Sequence, residues 1–269
     1  MMLLRYEQFI ETVKMKLIED HRIIGLLGGG SMITGAMDEY SDLDLIVVYH
    51  PDYRDEIMQQ RIHMAESLGT VLSVLTGEHV GEPKLVICLY DGSVPLHVDY
   101  KFLMPKELEE RIEDPVILWE RGTEIRAILR STVPCYPHPD PQWIEDRFWI
   151  WIHSGAAKLG RGELFEVIDI LCCIRSAVLG PLILAENGRL PNGTRRIEQF
   201  AVRAVEELQQ TVPSYHLESC YQALQSSILL YRCLRLSSDR LVHRTKAEQV
   251  AVAYLDKVYA SVDSTKMED

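Results

Sequence analysis

The chain reads Gly28-Gly29-Gly30-Ser31, then a short polar segment, then Ser41-Asp42-Leu43-Asp44-Leu45-Ile46-Val47-Val48. Residues 22–27 form a short apolar run that ends abruptly in the glycines, the pattern of a buried strand entering a turn. Residues 42–49 read as a second strand, stopped by Pro51. Consecutive glycines let a backbone approach a ligand closely and turn its N–H groups toward phosphate oxygens. Ser31 adds a hydroxyl donor. Along a strand, residues i and i+2 face the same way, so Asp42 and Asp44 project together.

Two like charges this close repel by roughly 4 kcal/mol at an effective dielectric near 20. Full solvation, protonation of one group or a divalent cation can offset that, and paired carboxylates suit Mg²⁺ with its taste for oxygen ligands. The plainer alternative is that Ser41 and Asp42 cap a turn while Asp44 is a solvated edge residue. The glycine turn is not a Walker A loop, because no Gly-Lys-Ser/Thr follows it. Nor is it a dinucleotide fingerprint, since Ile33 stands where the third glycine belongs. A third acid comes from residues 94–102, where Leu96, Val98 and Tyr100 alternate with His97, Asp99 and Lys101. A carboxylate inside so apolar a strand is costly unless paired or metal-bound. A salt bridge from Asp99 to Lys101 or Lys84 is the alternative.

Outward from this core, the spacing predicts an amphipathic helix over 3–20, a helix over 54–68, and a β-branched strand over 70–76. Residues 84–90 and 94–102 flank Asp91-Gly92-Ser93, a strong hairpin signal. A short helix over 105–112 and an edge strand over 116–119 follow. Pro134, Pro137, Pro139 and Pro141 then interrupt regular structure. Beyond them, helices are expected over 143–159, 163–186, 194–210, 215–234 and 245–262, with stops at Gly160, Gly180-Pro181, Gly188, Pro191 and Pro213 and a frayed tail from 263. The expected organisation is α+β: a mixed sheet with helices over residues 1–131, a Pro-rich linker over 132–141, and an all-α bundle over 142–269.

At 269 residues, 47% hydrophobic and 25% charged, the composition is that of an ordinary globular protein with room for two cores. A net charge of −12 gives no global positive field for nucleic acid, and it favours a small substrate, a cationic one included. None of the six cysteines forms a CxxC pair or a zinc-spaced cluster, and several sit in apolar runs, as buried free thiols do. A reducing, cytoplasmic setting is the expectation. Arg5, Glu7, Glu11, Lys14 and Lys16 argue against a signal peptide, and no apolar run approaches the length of a membrane span.

Gly30-Ser31, ten residues, Asp42-Leu43-Asp44 in an apolar strand, and Asp99 on a later strand together resemble the DNA polymerase beta-type nucleotidyltransferase superfamily. The resemblance covers roughly residues 3–120. Phe148-Trp149, Arg161-Gly162-Glu163 and the long helix after them resemble the helical domain of aminoglycoside and lincosamide nucleotidyltransferases. The resemblance implies that Gly30 and Ser31 contact the β- and γ-phosphates of ATP or another nucleoside triphosphate. It implies that Asp42 and Asp44 hold two Mg²⁺ ions, and that Asp99 completes one site and can draw the proton from an attacking hydroxyl. The implied reaction moves a nucleoside monophosphate, AMP from ATP, to a hydroxyl of a small acceptor such as an antibiotic, with pyrophosphate leaving.

The chain departs from the superfamily at one point. Many members carry Arg-Gly or Lys-Gly soon after the Gly-Ser, whereas residues 31–45 hold no basic residue and four acids, Asp38, Glu39, Asp42 and Asp44. Lys84, Lys101, Lys158 or Arg161 would have to meet the triphosphate charge. This leaves open a second reading, a catalytically weak or inactive nucleotide-binding or regulatory module, antitoxin-like and protein-modifying variants included. RNA nucleotide addition is a third and needs a basic groove beside the carboxylates. In the helical part, Glu163 and Glu166 lie three apart on one helix face, with Asp169 beyond them. With Arg161 they are candidates for holding a polycationic acceptor, with a plain solvated face as the alternative. Trp143, Trp149 and Trp151 read as packing residues, and His153 as structural.

Overall fold

The computed structural model describes residues 2–235 and 241–266, with side chains placed from Leu4 to Val262. The chain divides into two compact units, residues 1–136 and 137–269.

The first unit is α+β. Its elements are α1 (Met2–Glu19), β1 (Ile23–Gly28), β2 (Leu43–Tyr49), α2 (Arg54–Ser67), β3 (Val71–Gly77), β4 (Glu82–Tyr90), β5 (Leu96–Leu103), β6 (Val116–Glu120) and α3 (Glu124–Ser131). The strands form one six-stranded sheet in the order β3-β4-β5-β2-β1-β6. Only β2 and β5 run parallel; β1–β2, β1–β6, β3–β4 and β4–β5 are antiparallel. A parallel pair needs a long crossover, and α2, β3 and β4 supply it. The expected hairpin at Asp91-Gly92-Ser93 is β4–β5, and β6 is an edge strand.

Alternation along the strands divides the sheet into two faces. One carries Leu43, Leu45, Val47, Val98, Tyr100, Phe102, Val86 and Cys88, buried with Tyr6, Val13 and Leu17 of α1 and Ile57 and Ala65 of α2. Leu27, Val48 and Leu103 on the other face pack with Leu108 and with Ile125 of α3. This second cover reaches β6, β1 and β2. It touches β5 at Leu103, while Leu89 of β4 and Leu75 of β3 on that face are exposed. The short helix expected over 105–112 is a 3₁₀ helix over residues 105–110. α3 (Glu124–Ser131) is not among the helices expected above. Its apolar period is nonetheless clear, with Ile125, Ile128 and Leu129 at i, i+3 and i+4.

The second unit is all-α: α4 (Pro141–Gly160), α5 (Leu164–Ile174), α6 (Gly180–Glu186), α7 (Ile197–Phe200), α8 (Val202–Gln209), α9 (Leu217–Leu234) and α10 (Thr245–Lys266). Gly180-Pro181 does not stop the helix that was expected over 163–186. A π turn, Arg175–Leu179, carries α5 into α6, so Pro181 falls in the first turn after it, where its missing N–H costs little. The helix expected over 194–210 is instead two, broken at Ala201, where the backbone leaves the helical region (φ −135°, ψ 49°). The expected tail is partly helical, since α10 runs to Lys266; the last three residues lie outside the described range. The continuous 23-residue segment Leu164–Glu186 is also long and apolar enough to span a membrane by length and composition. That corrects the expectation of short runs only. Glu166, Asp169 and Arg175 interrupt the stretch in sequence, and half of it packs inside the helical core. The cysteines are all free, but only Cys88 and Cys220 are buried, and the other four are exposed.

The core of this unit holds a buried charge. Glu145 on α4, 0% exposed, accepts hydrogen bonds from Trp149 Nε1 (3.0 Å), Tyr231 OH (2.7 Å), Arg235 (3.1 Å) and the Arg244 backbone N–H (2.8 Å). Arg235 also bonds Glu248 of α10 at 2.6 Å. Phe148 stacks on Tyr231 at 4.0 Å alongside. Trp149 is thus a core residue, whereas Trp143 is exposed.

Candidate active site

β1 ends at Gly28, and the chain turns back through a single 3₁₀ turn, Gly30–Met32. The Gly29 N–H donates to the Asp44 carbonyl at 2.8 Å, which fastens the turn to the start of β2. Gly30 has φ +54°, and a Cβ there would collide with Asp44 Oδ2. Glycine is therefore required twice, for the left-handed backbone and for the carboxylate's space. Ser31 follows, 7% exposed.

Gly30→Ala should cost about 1–2 kcal/mol of stability from the left-handed backbone alone. It should also push the Asp44 carboxylate out of place. Denaturant melts with calorimetric titration of Mg²⁺–ATP would measure both effects; an alanine chain as stable as the parent, with Asp44 unmoved, refutes this.

Asp44 and Asp99 face each other across the one parallel strand pair: the register places Asp44 of β2 opposite Asp99 of β5. Paired positions share a sheet face, so the two carboxylates stand on the same side, the side that carries Ile46, Val48 and Lys101. Asp42 sits one residue before β2, near enough for its charge to act on Asp99. The salt bridge from Asp99 to Lys101 or Lys84 does not form. Lys101 pairs with Glu82 at 3.0 Å, Lys84 pairs with Glu107, and Asp99 Oδ1 lies 3.0 Å from His97 Nε2. Burial pushes the Asp99 carboxyl above its usual range, His97 pulls it back, and the charge of Asp42 adds to the rise.

A raised folded-state value means that ionised Asp99 is a burden on the fold. The burden is absent below the ordinary carboxylate range, where both states are protonated. It grows as pH rises through that range. Asp99→Asn should accordingly melt higher than the parent at about pH 7.5, with the gain fading toward about pH 3.5. Melting curves across that interval check it, and a gain that is constant with pH would refute the assignment.

The approach to β2 is fixed by side chains that the turn alternative had in view. Ser41 Oγ donates to Asp38 Oδ1 at 3.0 Å and accepts from the Asp38 N–H at 2.9 Å. Ser41 is thus a turn residue, while Asp42 stays with the carboxylates. Two groups from α1 hold the same loop: Tyr6 OH donates to Ser41 O at 2.7 Å, and Arg5 donates to Glu39 O at 3.0 Å. Arg5 brings a cation to the acidic loop that residues 31–45 lack. No local signal could reveal it, because it lies 34 residues upstream of its partner. His97 was visible as a neighbour of Asp99 on the polar face, but its contact is a matter of side-chain rotamer.

The donor set is three carboxylates, hard oxygen ligands of the kind Mg²⁺ takes; register sets Asp44 beside Asp99, and the charge of Asp42 reaches Asp99. As placed, no group of three or more His, Cys, Asp or Glu side chains among the described residues could hold a metal ion. The residue types and strand positions fit a divalent cation, but the side chains do not form a finished cage.

In the helical unit, Glu163 and Glu166 both pair with Lys158, at 2.7 and 3.4 Å, and Arg161 is the exposed C-cap of α4. Lys158 is therefore committed to acids rather than free for phosphate. A cleft of about 530 Å³ lies between α9 and α10, but its Arg232 and Arg235 are paired with Glu248. His153 stacks on Tyr254 with ring centroids 4.5 Å apart.

No protein-family model matches the chain, and no curated protein matches it in sequence. Several solved structures are similar to it. The fold resembles that of an aminoglycoside 6-adenyltransferase. That protein, from Bacillus subtilis, superposes with a TM-score of 0.41 at 13% identity, over 93% of this chain and 97% of its own. A nucleotidyltransferase-like protein from Exiguobacterium sibiricum gives a TM-score of 0.38 at 12% identity, over 85% of this chain and 75% of its own.

Proposed function

We propose that the chain is a Mg²⁺-dependent nucleotidyltransferase that moves a nucleoside monophosphate from ATP or a related triphosphate to a hydroxyl of a small acceptor. The observation that carries this reading is the row Gly30, Asp44, Asp99. A glycine turn shaped around one carboxylate stands directly beside a second carboxylate on the adjacent strand. Gly29, Gly30 and Ser31 offer backbone N–H groups and a hydroxyl to the terminal phosphates. Asp42, Asp44 and Asp99 would hold the metal, which supplies Lewis-acid polarisation and neutralises charge on the leaving oxygens.

The acceptor oxygen forms a new bond to the α-phosphorus, and the bond from that phosphorus to its bridging oxygen breaks. Pyrophosphate takes the electron pair, and the hydroxyl proton passes to Asp99. His97 holds one carboxylate oxygen and thereby orients the other.

A specific observation favours a second reading, a nucleotide-binding module without turnover. Lys84, Lys101 and Lys158 are all paired with acids. One experiment separates the two: pyrophosphate release with Mg²⁺ and each triphosphate against aminoglycosides, lincosamides and simple polyols, alongside calorimetric nucleotide binding. Release that depends on an acceptor supports transfer. Binding without release supports the module, and no binding at all sinks both.

A further inference from the structure

The acid row does not stop at Asp99. Across the antiparallel ladders Asp99 of β5 is opposite Ile87 of β4, and Ile87 is opposite Leu75 of β3. One row on one face therefore reads Asp44, Asp99, Ile87, Leu75 over four neighbouring strands. The row beside it continues from His97 to Leu89 and Ser73. The carboxylate half of this face passes into an aliphatic half without a break, and the aliphatic half is open: Leu75 is 45% exposed and Leu89 39%. No charged residue occurs in β3.

Direction follows from the reaction. In an in-line displacement the nucleophile and the leaving group lie on opposite sides of the phosphorus. The phosphate-binding turn abuts Asp44 on the side away from Asp99, so pyrophosphate leaves toward Gly30. The acceptor must then come from beyond Asp99, over β4 and β3.

We propose that Ile87, Leu89 and Leu75 seat the acceptor, and that the acceptor is a hydroxyl compound with an aliphatic or aromatic face rather than a polycation. This inference rests on the nucleotidyl-transfer reading and names its substrate class. It accounts for a bare apolar shelf placed against the proton-accepting residue. In the helical unit Lys158 already pairs with both Glu163 and Glu166, which leaves one negative charge on the trio for a polycation.

The test uses the full chain with labelled Leu and Ile methyls, Mg²⁺ and α,β-methylene-ATP. Hexyl β-D-glucoside is the probe; methyl β-D-glucoside and spermine are the comparisons. Hexyl glucoside is expected to shift the Leu75, Ile87 and Leu89 methyls, at about tenfold lower concentration than methyl glucoside. Its binding should weaken about tenfold in Leu75→Glu/Leu89→Glu and also in Leu75→Ser/Leu89→Ser. The serine pair adds no charge and keeps the test valid if the glutamates unsettle the edge strand. The proposal is overturned if hexyl glucoside leaves those methyls unmoved, if both double variants bind it as the parent does, or if spermine moves them at lower concentration. ATP binding to the parent and to Asp42→Asn, measured on the same preparations, separates the two failures. Binding lost only in Asp42→Asn, with a silent shelf, removes the acceptor seat and leaves nucleotidyl transfer standing. A parent that binds no nucleotide removes both.

Discussion

In Asp44→Asn, pyrophosphate release should fall at least about a thousandfold, the equivalent of roughly 4 kcal/mol of transition-state stabilisation. The residue lies between the two halves of the proposed site. Its carboxylate occupies the space that Gly30 leaves, its carbonyl holds the Gly29 N–H, and its strand position is opposite Asp99. Asparagine keeps the size and the backbone contacts but removes the negative charge that a divalent cation needs. The loss should therefore fall on kcat far more than on folding. The measurement is release in single-turnover mixtures, beside a melting curve showing an intact chain. A variant that turns over within tenfold of the parent would remove Asp44 from the chemistry and with it the transfer reading. Asp42→Asn should behave alike, whereas a change at Ser41 should act through the Asp38 turn and cost less.

The second large effect concerns stability. Glu145→Ala should destabilise the helical unit by about 3–5 kcal/mol, because it leaves Arg235 and three hydrogen-bond donors without their shared acceptor. Burial alone would push the Glu145 carboxyl up. The Arg244 N–H, Trp149, Tyr231 and Arg235 outweigh it and hold the carboxyl below its usual value. A lowered folded-state value means that the stability is fully present above the ordinary carboxylate range and is lost as pH falls through and below it. The parent should therefore lose stability on acidification below about pH 4.5, while Glu145→Ala loses less over the same interval. Trp149 is the reporter, since its indole touches the network directly. Urea melts followed by tryptophan fluorescence at neutral and acid pH give both numbers. A change under about 1 kcal/mol would show that the buried carboxylate is dispensable.

Much of the first unit was legible because its signals are local. A period of two in residues 94–102 put Asp99 and His97 on the face opposite Val98 and Tyr100, and Asp91-Gly92 marked the hairpin. The misses were also local in cause. Gly180-Pro181 reads as a stop only if the helix keeps one hydrogen-bond period throughout, and a π turn changes that period just before Pro181. The helix α3 carries a legible period in Ile125, Ile128 and Leu129, whereas the break at Ala201 has no glycine or proline to announce it.

By itself, the sequence determined the glycine turn, the two acids that follow it, the third acid on a polar strand face, and the change to helices after the prolines. Each of these depends on residues within a few positions of one another. Only the tertiary structure decided that Asp44 and Asp99 are neighbours, because strand register in a parallel pair is set by the whole sheet's packing. It also decided that Lys84 and Lys101 pair with Glu107 and Glu82 rather than with Asp99, that Arg5 closes on the acidic loop, and that the acid row runs on into an open aliphatic shelf. Those are contacts between segments far apart in the chain, and no local period encodes them.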